Sequence, residues 1–94
     1  MKVTLIKSPR IQKKWRVVFN NKSHVDFGQV GYSDFTLHKD PKRMYRYLIR
    51  HSKEDWSINS VNKEGFWSRW LLWSEPNLEK AKKLIYKKFK IKIQ

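Results

Sequence analysis

The sequence contains no cysteine. A disulfide framework, a thiolate nucleophile and a Cys-based zinc site are therefore excluded, and the fold has to stand on packing alone. Long apolar runs are missing too. The longest is Trp70 to Trp73, whereas a helix needs about 20 residues to cross a bilayer. No signal-peptide-like segment follows Met1, so the expectation is a protein without membrane insertion, inside a cell or in a particle assembled there. Acidic residues are absent from residues 1–25 and from residues 80–94.

What is present is cationic and aromatic. The 94 residues carry 22 Lys and Arg against 8 Asp and Glu, for a net charge of +14. Each acid-free end contributes seven basic residues, while residues 26–79 balance eight basic against eight acidic ones. An uncompensated charge of this size opposes compactness unless a polyanion neutralises it, so the two ends point to nucleic acid or, failing that, to an acidic protein or membrane surface. Fourteen residues are aromatic, five of them Trp. Each buries about 150–250 Å², enough to core one small domain over residues 1–94 and too much for a disordered tail. Two separate enzymatic domains do not fit in this length.

Periodicity supplies the elements. Lys2 to Ile6 is β-prone and is broken at Ser8-Pro9. Between Lys14 and Asn20, Trp15, Val17 and Phe19 alternate with Lys14, Arg16 and Val18, the period of a half-buried strand. With turn residues at 20–23 and a return over His24 to Phe27, a hairpin over 13–27 is predicted. Gly28 and Gly31 are expected to punctuate a loop. Asp40-Pro41 reads as an N-cap followed by Pro at the first helical position, with the helix running to about His51 or Ser52. On it Arg43, Arg46 and Arg50 share one arc, and Met44, Tyr47, Leu48 and His51 another.

Residues 52–64 read as a loop, with room for one short turn of helix. In Phe66–Trp73 the large apolar residues recur at i, i+4 and i+7, which predicts a short buried helix. Ser74 or Asn77 is the candidate cap of a last helix, with Leu78, Ala81, Ile85 and Phe89 inward, ending near Lys88. From Lys88 to Gln94 the period changes to two, predicting an edge strand with lysines outward, able to close the sheet beside residues 2–6. The fold class is α+β, a small antiparallel sheet covered by two or three helices.

These residues also form a pattern. Phe27-Gly28, Gly31-Tyr32-Ser33-Asp34-Phe35-Thr36, His38-Lys39-Asp40, Arg43, Arg46-Tyr47, Arg50-His51 and the Gly65–Trp73 run, with Pro76 and Leu78, resemble a family of small basic proteins encoded by nucleocytoplasmic large DNA viruses. The likeness covers roughly residues 14–80. It implies a viral setting, a virion component met in the host cytoplasm during assembly, and, since the family has no established enzymatic activity, it gives no mechanism.

Candidate sites follow from charge. Lys13, Lys14 and Arg16 at one end, Lys82, Lys83, Lys87, Lys88, Lys90 and Lys92 at the other, and Arg43, Arg46 and Arg50 between them are the expected contacts to nucleic-acid phosphates. The central arginines are expected to count for less, because Asp26, Asp34, Asp40, Glu54 and Asp55 lie close enough in sequence to pair with them. Trp67, Trp70 and Trp73 offer stacking platforms for bases or, at helical spacing, core. His24, His38 and His51, with Asp34, are the one conceivable metal set, and their scattered spacing favours structural roles. Ser33, Ser68 and the carboxylates form no recognisable catalytic arrangement. The expectation is a non-enzymatic protein without cofactor or metal, binding DNA without sequence preference to package it in a virion, or alternatively a minor capsid or scaffold protein whose basic ends bind neighbouring virion proteins.

Overall fold

A computed structural model describes all 94 residues. Three strands come first: β1 (Lys2–Lys7), β2 (Lys13–Val18) and β3 (His24–Gln29). They form an antiparallel meander in which Leu5 faces Val17, Val17 faces Val25 and Trp15 faces Phe27. The fourth strand, β4 (Lys92–Ile93), joins the other edge parallel to β1, giving the order β3-β2-β1-β4. The fold is α+β, as the alternation predicts.

Between the sheet strands lie four helices. α1 (Phe35–His38) is a single turn, capped by Asp34 and stopped by Lys39 in the left-handed region. α2 (Pro41–Arg50) starts where Asp40-Pro41 places it, the Asp40 carboxylate accepting from the Lys42 N–H. A 3-10 turn (Ile58–Ser60) follows, then α3 (Glu64–Trp67), which runs on as a π turn over Ser68–Leu72. Asn77, not Ser74, caps α4 (Leu78–Phe89).

The core lies on one face of the sheet. Val3, Val17, Val25 and Phe27 meet Phe66, Trp67, Leu71 and Leu72 from the α3–π unit and Ala81 and Ile85 from α4. By alternation the opposite face carries Thr4, Ile6, Arg16, Val18, His24 and Asp26.

Three expectations need correcting. α1 was not foreseen, because one turn is too short for periodicity to register. Gly28 belongs to β3 rather than to a loop, at φ +80°. A Cβ there would sit 3.0 Å from Leu72 Cδ1 and 3.2 Å from Lys14 Cβ, so the close approach of the π turn requires glycine. The alternation over 88–94 overstates the last strand. Phe89 still belongs to α4, where its ring meets Phe66 and Trp70, and Lys90 ends the helix in the left-handed region before only two residues pair with β1.

Candidate nucleic-acid interface

The eight acids decide which cations remain free. Asp26 accepts from Arg16 Nε at 2.8 Å and Arg16 Nη2 at 3.0 Å, and from Ser8 Oγ at 2.8 Å. The guanidinium holds this carboxyl down to about 2, and the same pairing raises Arg16. Asp34 takes Lys14 Nζ at 2.8 Å and also caps α1. Glu64 takes Lys13 Nζ at 2.6 Å, and Glu54 pairs with His51. Asp40 caps α2, and Asp55 accepts from the Ser57 N–H; the Ser57 side chain first, and this N–H second, lower its pKa. Glu79 reaches Lys82 at 3.4 Å. Only four of the 22 Lys and Arg side chains, those of Lys13, Lys14, Arg16 and Lys82, come within 4 Å of a carboxylate.

Lys13, Lys14 and Arg16 are thus drawn into ion pairs across the molecule. The arginines expected to be neutralised in the centre are not: Arg43, Arg46 and Arg50 form no ion pair and are exposed on α2. Lys42, Tyr45 and Ile49 share that outer arc, while Met44, Tyr47, Leu48 and His51 are turned inward. The inward arc is fixed by aromatic rings. Tyr47 lies flat on Trp73, with centroids 4.4 Å apart and planes 2° apart, and His51 stacks on Tyr47 at 4.4 Å. Burial pushes the Tyr47 hydroxyl pKa up. Trp73 also meets His38 at 5.3 Å. The His38 Nδ1 accepts from the Asp40 N–H at 2.9 Å, and burial, followed by the charge of Arg43, lowers its pKa.

A second cationic surface surrounds α4. Lys80, Lys83 and Lys87 form an exposed stripe. Lys2, Lys82, Lys83 and Lys92, with Tyr86, line an open groove of about 560 Å³ in which Glu79 is the one acidic side chain. Sequence reasoning missed Lys2. Its place in the groove follows from the parallel register Lys2↔Lys92, which joins opposite ends of the sequence. Lys88 lies over the Trp70 ring at 5.0 Å and Lys90 over Tyr86 at 5.5 Å, both without a carboxylate partner.

The tryptophan run is packing. Trp67 is fully buried and its indole N–H donates to Val61 O at 2.7 Å; that of Trp70 donates to Trp56 O at 2.9 Å. Arg69 stacks over Trp70 at 4.3 Å and Trp56 at 5.3 Å and donates to Trp73 O, and burial lowers its pKa. His24, His38 and His51 sit on β3, α1 and the end of α2, and no three His, Asp or Glu side chains converge as metal ligands. A cleft of about 510 Å³ between the sheet end, α2 and α3 holds the Lys14–Asp34 and His51–Glu54 pairs. Ser33 and Ser68 line it, and no hydrogen bond joins either of them to His51.

A model described as a family of unknown function (DUF5754) matches residues 3–51, just over half of the chain, and the chain belongs to that family. The match runs from β1 through α2, so it includes the arginine face and stops before α4. No curated protein and no solved structure matches the chain.

Proposed function

We propose that the protein binds nucleic acid through phosphate contacts, with the lysines around α4 and the arginines of α2 as its contact surfaces. The observation that carries this reading is the segregation of charge. Six of the eight acids cap helices or pair with cations of the sheet, His51 or Lys82, and two exposed surfaces keep Lys and Arg without carboxylate partners. Such surfaces attract a polyanion by releasing its counterions. Together with the resemblance to small basic proteins of large DNA viruses, the reading extends to a virion protein that organises the genome without sequence preference. Affinity for a short duplex measured against salt is the test. Six or seven phosphate contacts give a slope of about −6 in log affinity against log salt, and absence of retention at low salt removes the reading.

A second reading, a minor capsid or scaffold protein, draws on a different feature. Ile11, Val30 and Leu37 are exposed around a groove of about 460 Å³ that Lys7 and Arg10 also line. Apolar side chains ringed by cations suit an acidic segment of a neighbouring virion protein. Co-purification of the protein with the shell rather than with the genome, when particles are disrupted, favours this reading over the first.

A further inference from the structure

We infer that the outer face of α2 enters the major groove of B-form DNA, with Arg43, Arg46 and Arg50 meeting base edges. The inference rests on the nucleic-acid reading above and goes beyond it in naming the kind of duplex and the groove, and in moving the arginines from phosphates to base edges, which adds a base preference to the phosphate affinity.

Geometry is the first ground. α2 has ten residues, about 15 Å at 1.5 Å per residue, and the major groove of B-DNA, about 12 Å wide, admits a helix. On its inner arc Tyr47 is buried and lies flat on Trp73, and its N-terminus is capped by Asp40. The element is anchored by one side, with the other presented to solvent.

Side-chain chemistry is the second. The cations of the α4 surface are all Lys, a point charge suited to phosphate, whereas the α2 face carries, beside Lys42, three Arg, planar forks that donate in pairs. A fork matches O6 and N7 of guanine in the major groove. Between and beside these forks stand Tyr45, 64 % exposed, and Ile49, 54 % exposed. Against base edges they find the thymine methyl. The major groove of A-form RNA is deep and narrow, closed to a helix with these side chains.

The experiment uses the full chain and three short duplexes of one sequence: DNA, the same DNA with 7-deazaguanine in place of guanine, and RNA. Removing N7 deletes one acceptor and leaves every phosphate in place. Wild-type protein is expected to bind the 7-deaza duplex about fivefold or more weakly than the parent DNA, and the RNA more weakly still. The triple variant Arg43→Lys, Arg46→Lys, Arg50→Lys keeps the charge and loses the forks. It should discriminate between the two DNA duplexes less than the wild type does, with the salt slope of the wild type, and circular dichroism should show the same fold. Equal wild-type affinity for all three duplexes, with strong salt dependence, overturns the groove assignment and leaves the phosphate reading standing. No retention on any duplex at low salt removes both.

Discussion

The first 25 residues and the last 15 look alike in sequence, each with seven cations and no acid, yet the fold treats them differently. Lys13, Lys14 and Arg16 are carried by β2 to Glu64, Asp34 and Asp26, acids that belong to the apparently self-balanced centre. From Lys80 onward only Lys82 meets a carboxylate, and weakly, at 3.4 Å. The comparison teaches that charge cancels in space rather than along the chain. β2 takes up Asp26, Asp34 and Glu64, the central arginines on α2 stand without partners, and free positive charge has in effect moved from the first end to the middle.

The strongest way to break this contrast is to detach α2. Trp73→Ala removes the ring on which Tyr47 lies and should cost about 3–5 kcal/mol. Thermal unfolding would show a large drop in midpoint, and in any protein that stays folded the arginine contribution to DNA binding should fall while that of the α4 lysines persists.

Next comes the Arg16–Asp26 pair on the outer face of the sheet. Asp26→Asn leaves Arg16 without its carboxylate and should destabilise by about 1.5–3 kcal/mol in denaturant titration. Affinity for DNA should not fall. A loss of binding with stability unchanged would mean that Arg16 is not the internal partner the geometry makes it.

Neutralising cations from each end sharpens the comparison directly. Lys80, Lys83, Lys87 and Lys92 changed together to Gln should reduce the steepness of the salt dependence by about 3–4 units, at about 0.9 per phosphate contact. Lys13→Gln with Lys14→Gln should alter it by less than about one unit. Equal effects from the two sets would dissolve the distinction.

The smallest effect expected is a pH dependence. His38 has a pKa below its ordinary 6.5 in the folded protein, so the unfolded chain takes up a proton that the native state resists. Stability from this group is whole above about pH 6.5 and declines as pH falls through the lowered value. Asp26 acts lower down: its share is whole above 3.8 and is lost as pH falls towards about 2. His38→Asn should abolish the upper step in a stability–pH series and leave the lower one.

The strands, α2 and the inner stripe of α4 were legible because alternation and helical spacing are local signals. Asp40-Pro41 marked a helix start for the same reason. Arg43, Arg46 and Arg50 were recognised as one arc, but their freedom was not, since it depends on which acids β2 reaches in three dimensions. Lys2 was invisible as a groove residue because nothing near it in sequence announces a parallel partner at Lys92. Helical spacing does not separate the π turn from plain helix. Its wider winding appears only in the Trp73 N–H bonding back to Ser68 O at 3.1 Å, five residues earlier.

The parallel pairing of β1 and β4 also bears on the order in which the molecule assembles. The amide of Lys92 donates to Met1 O and that of Gln94 to Val3 O, each at 2.9 Å, so this clasp joins segments some ninety positions apart, and loop closure over such a distance comes late in folding. The lysine groove between α4 and β4 thus matures after the meander and the arginine helix, and a chain caught before the clasp shuts carries its cations without the shape that gathers them.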